Sequence, residues 1–147
     1  MFVHATSVAL RAKGQWRAVL LRGPSGSGKS DLALRLIEAG SRLIADDQTH
    51  LAVRRRALIA TPPPALAGMI EARGVGILTL PRGRLLARAP VALLVDLVPS
   101  DKVERLPDAE REMLLGITVP RLALAPFEAS AVVKLCLALT RGVAASS

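Results

Sequence analysis

One segment of the chain has the composition and spacing of a phosphate-binding loop: Gly23, Pro24, Ser25, Gly26, Ser27, Gly28, Lys29 and Ser30. In the pattern Gly-x-x-x-x-Gly-Lys-Ser, the glycines let successive backbone N–H groups turn inward around a phosphate, and the helix that follows points the positive end of its dipole at the same anion. The lysine reaches the β- and γ-phosphates of a nucleoside triphosphate, and the serine hydroxyl holds Mg²⁺. An accidental turn is the alternative, but the apolar run before this P-loop and the helical pattern after it favour a nucleotide site.

Two apolar runs end in carboxylates that could work beside the P-loop. One leads into the adjacent pair Asp46 and Asp47, and the other leads into Asp96. From the pattern alone, the longer run that ends in Asp96 is the better match to the usual metal-binding aspartate of a P-loop enzyme. The adjacent pair has another advantage, because neighbouring side chains in an extended segment point apart. One carboxylate can then accept a proton from an attacking hydroxyl while the other faces the metal. A solvated loop is the plain alternative for the pair.

The elements that must position these groups follow from the hydrophobic pattern. Segments 2–10 and 16–21 predict a hairpin that leads into the P-loop, and apolar residues at helical spacing predict a following helix that ends at Gly40. Further elements are expected as strands at 42–45, 49–53, 57–60, 91–98 and 117–124, a short helix after 62–64, a tight backbone path at 71–76, a polar loop with a helical turn at 107–115, and an amphipathic helix at 131–139. This alternation predicts one α/β domain over residues 1–141, followed by a frayed tail at 142–147.

Composition limits the classes of partner. The 147 residues include 20 lysines and arginines against 12 acidic residues, so the formal net charge is +8. This balance favours anionic partners. Aromatic residues are not interleaved with the basic ones, so a base-stacking nucleic-acid surface is not expected. The scarcity of aromatic residues also means that Leu, Val, Ile and Ala must build the core, as in a sheet covered by helices.

Cysteine content and hydropathy bear on the compartment. Cys136 is the only cysteine, which excludes an internal disulfide, and the helical pattern around it predicts a small core residue. We find neither the pattern of a signal peptide nor an uninterrupted apolar run of about 18 residues. We therefore expect a cytoplasmic protein that binds no membrane.

Several motifs, taken in order, resemble the catalytic domain of HPr kinase/phosphorylase. They are His4, the P-loop, the segment 42–47 (Arg-Leu-Ile-Ala-Asp-Asp) and the segment 71–77 (Glu-Ala-Arg-Gly-Val-Gly-Ile). The resemblance covers nearly the whole chain and is densest from His4 to Ile77. It implies a P-loop NTPase-like α/β fold of the HPr kinase/PEP carboxykinase type, with a central sheet and flanking helices. The chain resembles a shortened form that lacks the N-terminal domain of the family.

The resemblance also implies an activity, which is phosphorylation of a serine in the phosphocarrier protein HPr, or a close relative, with ATP and Mg²⁺. Many members of the family also remove this phosphate by phosphorolysis, and the family forms hexamers. Position by position, the P-loop with Lys29 would cradle the phosphates and Asp46 would be the general base. Asp47 would act with Ser30 and Glu71 around Mg²⁺.

Two further positions match the family, and two segments depart from it. His4 matches a histidine near the transferred phosphate, although Ala5 replaces the glycine that follows it in the family. Arg73 matches the signature and would support the loop or contact phosphate. In contrast, the stretch 126–130 lacks the basic residue that family members carry there, and the segment 80–85 is short. These departures bear on phosphorolysis and on the docking of HPr.

Two other functions remain open at this stage. A small-molecule P-loop kinase would have a similar size, with Arg82 and Arg84 as candidates for an arginine lid over the nucleotide. A nucleotide-binding regulator without catalysis would need a metal ligand but no base, and the pair Asp46 and Asp47 argues against it.

Overall fold

The computed structural model describes residues 1–141, which contain eleven β-strands and two α-helices. The strands are β1 (Phe2–Val3), β2 (Thr6–Ala12), β3 (Gln15–Arg22), β4 (Arg42–Ala45), β5 (Thr49–Arg54), β6 (Ala57–Thr61), β7 (Met69–Ala72), β8 (Gly76–Thr79), β9 (Ala89–Leu97), β10 (Glu110–Leu114) and β11 (Ile117–Leu124). The helices are α1 (Lys29–Glu38) and α2 (Ala131–Arg141). Short 3-10 turns lie at Pro64–Leu66, Arg82–Arg84 and Ser100–Lys102. The predicted tail at 142–147 lies outside the described residues.

Nine of the strands form one sheet that branches at β9. On one side, β9 pairs in parallel with β3. On its other side, β9 pairs antiparallel with β6 near Pro90 and in parallel with β11 over Leu94–Leu97. On the other side of β3, the strands β2 and β4 follow in antiparallel steps. The strands β3, β4, β9 and β11 therefore run in one direction, and their carboxyl ends meet at the same edge of the sheet. This edge is where open α/β sheets bind ligands.

Each face of the sheet carries its own core. On one face, Leu32 and Leu36 of α1 and Leu135 of α2 pack against sheet residues such as Leu21 and Val95. On the opposite face, other sheet residues, among them Leu20 and Leu94, pack with Leu51 of β5 and Leu58 of β6. Cys136 is partly buried against the first core, and this burial raises the pKa of its thiol. Among residues 1–141, neither helix has the length and apolarity that crossing a membrane requires.

The helix after the P-loop confirms the sequence prediction, and the first hairpin is present with a turn of two residues instead of the predicted five, 11–15. α1 ends in the expected way, with Gly40 at φ 108° and with the N–H groups of Gly40 and Ser41 donating to the carbonyl oxygens of Ile37 and Leu36. β2 and β3 are joined by Lys13 and Gly14, which both have positive φ angles of 53° and 77°. Such a two-residue turn matches the twist of the strands that it connects.

Two predictions were wrong in detail. The segment 107–115 is not a loop with a helical turn, because Glu110–Leu114 forms β10 and pairs antiparallel with β11. A second two-residue turn, Leu115 and Gly116 at φ 48° and 82°, makes this pairing possible. The segment 2–10 is not one strand either. It breaks at His4, so that Phe2–Val3 pairs with β5 while β2 begins at Thr6.

Candidate active site

The P-loop connects β3 to α1 and depends on its glycines. Gly26 and Gly28 have φ angles of 82° and 100°, a region that side chains other than glycine rarely adopt. A Cβ atom on Gly28 would also lie 2.9 Å from the ring of Phe127, and one on Gly23 would lie 2.4 Å from Ser27 Oγ. The backbone conformation therefore favours glycine at Gly26 and Gly28, and close packing favours it at Gly23 and Gly28.

Lys29 is the first residue of α1 and turns back into the loop. Its side chain is nearly buried, and Nζ donates hydrogen bonds to the carbonyl oxygens of Gly23 at 2.7 Å and Pro24 at 3.2 Å. A buried ammonium group at the amino end of a helix, beside backbone N–H groups, is an anion-binding arrangement. The loop that the sequence predicted as a phosphate site thus places an ammonium group at the amino end of α1.

Asp46 joins three parts of the fold. Its Oδ1 accepts hydrogen bonds from Ser30 Oγ at 2.7 Å and from Thr6 Oγ1 at 3.0 Å, and its Oδ2 accepts one from the backbone N–H of Glu71 at 3.0 Å. These partners belong to α1, β2 and β7 respectively. No sequence motif pointed to Thr6, which is fully buried and lies 40 residues from Asp46 along the chain.

Asp47 is held differently from its neighbour. It has a φ of 66°, its N–H donates to Thr6 Oγ1 at 3.0 Å, and its Oδ1 lies 2.6 Å from Nε2 of His4. The side chains of His4 and Asp47 are 57% and 62% exposed. The break between β1 and β2 places His4 where it reaches Asp47. A histidine that donates to a carboxylate fixes the orientation of that carboxylate.

A cavity of about 350 Å³ lies over the P-loop and gathers most of the predicted residues. Polar and charged groups along its wall include Lys29, Ser30, Asp47, Glu71 and Arg73, and apolar groups include Leu34, Val75 and Phe127. Nη2 of Arg73 lies 3.9 Å from the position that a Cβ on Gly26 would occupy, so the guanidinium group reaches the loop. Asp46 is not among the residues that line the cavity and lies behind Ser30.

Hydroxyl and carboxylate oxygens, which are ligand atoms that Mg²⁺ uses in proteins, lie near the loop. Over residues 1–141, no group of three or more His, Cys, Asp or Glu side chains is arranged to hold a metal ion. Mg²⁺ commonly binds through one or two carboxylates together with phosphate oxygens and water. The Ser30 hydroxyl and the nearby carboxylates of Asp46, Asp47 and Glu71 fit this kind of site. The family resemblance implied a grouping of Ser30 with Asp47 and Glu71, whereas the direct hydrogen bond of Ser30 is to Asp46.

Asp96, the competing carboxylate, is neutralised by arginines. It accepts hydrogen bonds from Arg22 Nε at 2.9 Å and Arg121 Nε at 2.8 Å, and Arg22 Nη1 also donates to Glu112 at 2.6 Å. We call Arg22, Asp96, Glu112 and Arg121 the ionic cluster. Because Arg22 alternates with Leu21, which packs on the α1 side, the cluster lies on the opposite face of the sheet. Asp96 does not line the cavity over the P-loop.

Comparisons with known proteins test the resemblance that the sequence motifs suggest. A family model described as the HPr Serine kinase C-terminal domain matches residues 3–141. An HPr kinase/phosphorylase of Geobacillus thermodenitrificans is 35% identical over 131 residues, which are 83% of this chain and 41% of that protein. One from Limosilactobacillus reuteri is 34% identical over 115 residues, which are 72% of this chain and 36% of that protein. The chain thus spans about two fifths of the length of these curated relatives.

A solved structure shares the fold over almost the entire chain. The HPr(Ser) kinase/phosphatase from Coxiella burnetii matches with a TM-score of 0.80 and 26% sequence identity, and the match covers 93% of both chains. This likeness confirms the predicted α/β fold with a central sheet and flanking helices.

Proposed function

The chain belongs to the HPr serine kinase C-terminal domain family, and from this membership we propose that it is an ATP-dependent kinase that phosphorylates a serine of HPr or of a close relative. The observation that carries the proposal is the gathering of the P-loop, Asp47, Glu71 and Arg73 around one cavity, with Asp46 directly behind Ser30. A P-loop with its lysine binds phosphates, and adjacent carboxylates serve a metal and a base. The site therefore offers candidate groups for both requirements of phosphoryl transfer.

Three groups would hold and neutralise the phosphates. They are the backbone N–H groups of the P-loop, the ammonium group of Lys29 and the guanidinium group of Arg73. When bound, ATP supplies the phosphoryl group and Mg²⁺ neutralises charge on it. Catalysis of this reaction rests mainly on positioning and on electrostatic stabilisation. Lys29 is already held in place by two carbonyl oxygens, so little reorganisation is needed at the moment of transfer.

The hydrogen bonds favour an exchange of the roles that the family resemblance implies for the two aspartates. In P-loop enzymes the metal is held by the loop serine or threonine together with an aspartate. Ser30 donates to Asp46 at 2.7 Å, which makes Asp46 the better candidate for the metal side. Asp47 lines the cavity and is oriented by His4, so it is the better placed to accept the proton of a serine hydroxyl. The assignment from sequence, with Asp46 as base and Asp47 at the metal, is the alternative.

The hairpin of β7 and β8 is the surface that we assign to the protein substrate. Val75 and Ile77 in this hairpin are 75% and 74% exposed, and Val75 also lines the cavity. Exposed apolar side chains that adjoin a site commonly mark an interaction surface. A phosphocarrier protein docked here would present its serine beside Asp47 and Arg73. The family hexamer and phosphorolysis remain predictions, which light scattering and pyrophosphate release would test.

A small-molecule kinase is less well supported. Its arginine lid would have to come from Arg82 or Arg84, but Arg84 Nη1 donates to Glu38 Oε2 at 2.9 Å, at the end of α1 that is distant from the P-loop. Neither arginine lines the cavity. A regulator without catalysis would have no use for the arrangement of Asp47 and His4.

The decisive experiment is incubation with radiolabelled ATP, Mg²⁺ and a panel of phosphocarrier proteins that includes HPr. We expect label on a serine of one phosphocarrier and no transfer when that serine is replaced by alanine. Nucleoside and sugar acceptors in parallel reactions test the small-molecule kinase. Nucleotide binding without transfer to any acceptor would contradict the kinase proposal and favour the regulator.

A further inference from the structure

A second recess adjoins the P-loop on the side away from the aspartate pair. It has a volume of about 340 Å³ and lies between the outer side of loop residues 24–27, the end of β9 with the following residues Val98 and Pro99, and the segment Pro126–Phe127. None of the residues that line it is charged. A crevice of this size with mainly apolar walls falls in the range that small organic ligands occupy. The recess cannot stabilise phosphate charge, but it can accept an uncharged ring.

Phe127 forms the boundary between the two cavities. It lines both of them, and its side chain is 70% exposed, although it is one of only three aromatic residues in the chain. Its ring packs against Gly28, at the turn that leads into α1. The backbone beneath it is fixed, because the guanidinium group of Arg35 donates to the carbonyl oxygen of Pro126. An exposed aromatic ring on an anchored backbone is suited to stacking, since it loses little conformational freedom when a ligand covers it.

The order of the strands places the charged cavity and the uncharged recess on opposite sides of the P-loop. Asp46 and Asp47 follow β4, which lies beyond β2 on one side of β3, whereas the recess is built on β9 and on the residues that follow β11, on the other side of β3. The P-loop itself follows β3 and lies between them. A nucleotide laid along this edge has its phosphates over the charged cavity and its base over the uncharged recess.

We propose that the recess beside Phe127 binds the heterocyclic base of the nucleoside triphosphate, with the Phe127 ring as a stacking wall. This inference rests on the proposed function, because it extends the same nucleotide site. Base–aromatic stacking tolerates all bases, since each has a π-face. Because the recess offers mainly apolar side chains, we expect weak discrimination between ATP and GTP. Phe127 lies in the stretch 126–130, which contains no lysine or arginine, so the ring has no basic residue beside it in this stretch.

Binding measurements with ATP and with inorganic tripolyphosphate separate the base from the phosphates. Titration calorimetry should give tighter binding of ATP than of tripolyphosphate by the wild-type chain. Phe127→Ala and Phe127→Leu should weaken ATP binding by about 5-fold to 100-fold, the range that corresponds to loss of one stacked base. Neither substitution should change the affinity for tripolyphosphate. Phe127→Trp should retain ATP binding. Phe2→Ala is the matched control, because Phe2 is also exposed but pairs edge-on with His50, which does not line either cavity.

Each contrary outcome has a distinct meaning. Equal loss of ATP and tripolyphosphate binding in both Phe127 variants would show that the ring only supports the P-loop, and the base subsite would be rejected. Equal wild-type affinity for the two ligands would also reject the subsite, but the proposed kinase would stand. A wild-type chain that binds neither ligand would overturn the proposed function and the subsite with it. Thermal unfolding of each variant reports whether the fold is retained.

Discussion

Asp96, near the end of β9, and Asp46, after β4, lie at the same edge of the sheet. The groups around each carboxylate differ, and this difference decides whether its charge is neutralised by arginines. Asp96 lies directly across from Arg22 in the pairing of β3 with β9, and Arg121 reaches it from β11. Asp46 instead accepts hydrogen bonds from two hydroxyls and one backbone N–H, and no cation within residues 1–141 is hydrogen-bonded to it. The charge of Asp96 is therefore already neutralised by arginines, while the charge of Asp46 is not hydrogen-bonded to a cation among the described residues. Position at the end of an apolar strand does not by itself make a carboxylate functional.

The largest effect that bears on this comparison is expected at Lys29. Its ammonium group supplies positive charge to the cavity that Asp47 also lines. Loss of one preorganised donor typically slows a reaction about 10²–10³-fold, and loss of a full charge should cost at least as much. We expect Lys29→Ala to abolish phosphoryl transfer and to weaken ATP binding while the fold survives. Single-turnover assays, with circular dichroism as the control, test this, and wild-type activity would remove the assignment of the P-loop.

The next effect distinguishes the two aspartates of the pair. If Asp47 is the base, Asp47→Asn should slow single-turnover transfer by about 10²–10⁴-fold, the usual contribution of base catalysis, at nearly unchanged ATP affinity. Asp46→Asn should instead raise the Mg²⁺ concentration at half-maximal activity, because it removes the carboxylate beside Ser30. Mg²⁺ titrations of both variants decide between the two assignments. The reverse result, with the rate lost in Asp46→Asn and the metal dependence changed in Asp47→Asn, would restore the roles that the sequence assigned.

At the other strand end, substitution should affect stability more than activity. Asp96→Asn removes one of the two negative charges of the ionic cluster and leaves an amide oxygen as the only acceptor at this position. The Asp96 side chain is 25% exposed, so the expected loss of unfolding free energy is about 1–2 kcal/mol, between the values for exposed and buried pairs. Activity at saturating substrate should fall less than about 10-fold, well below the effect of base removal. Urea denaturation and kinase assays on the same preparation test both parts. If Asp96→Asn costs more activity than the variants of the pair, the site is built as in small-molecule kinases.

The sequence predicted local structure better than contacts between distant segments. The P-loop, the end of α1 at Gly40 and the strand before Asp46 follow from patterns within about ten neighbouring residues, and they are present. The role of Thr6 could not be predicted, since it depends on β2 and β4 lying side by side. The pattern that favoured Asp96 was also local. It could not include Arg22, 74 residues away, because only the pairing of β3 with β9 brings them together.

The segment before β11 shows why polar composition misled the prediction. Residues 107–115 include four charged side chains in the run 108–112 and resemble a loop. Glu110–Leu114 is nevertheless extended, because the turn at Leu115 and Gly116 returns the chain onto β11. β10 is an edge strand with several charged residues, and its contribution to the fold becomes evident only from the strand and the side chains that it contacts. Within it, Glu112 reaches Arg22 and Arg121 and completes the ionic cluster.

The smallest effect should be a change in acid stability that belongs to the ionic cluster alone. The carboxylate of Glu112 accepts hydrogen bonds from Nη1 and Nη2 of Arg22 at 2.6 and 2.9 Å. These bonds, with the nearby charges of Arg22 and Arg121, hold the pKa of Glu112 below its ordinary value of 4.5. Because the folded state binds this proton less readily than the unfolded state, the stabilisation is complete above about pH 4.5 and is lost as the pH falls through the lower folded pKa.

Comparison of the wild type with Glu112→Gln isolates this contribution from every other titrating group. The difference in unfolding free energy should be constant from about pH 7 to pH 5.5, at roughly 1 kcal/mol or less because the pair is partly exposed. It should shrink towards zero as the pH falls below about 4.5. Glu104→Gln, at an exposed glutamate, should show no such trend. Urea titrations at several pH values measure the difference, and kinase activity at neutral pH should be unchanged in both variants. A difference that stays constant down to about pH 3 would mean that Glu112 has an ordinary pKa. The charge of Glu112 would then add nothing to the stability of the ionic cluster, and the cluster would depend on the hydrogen bonds of its arginines to Asp96.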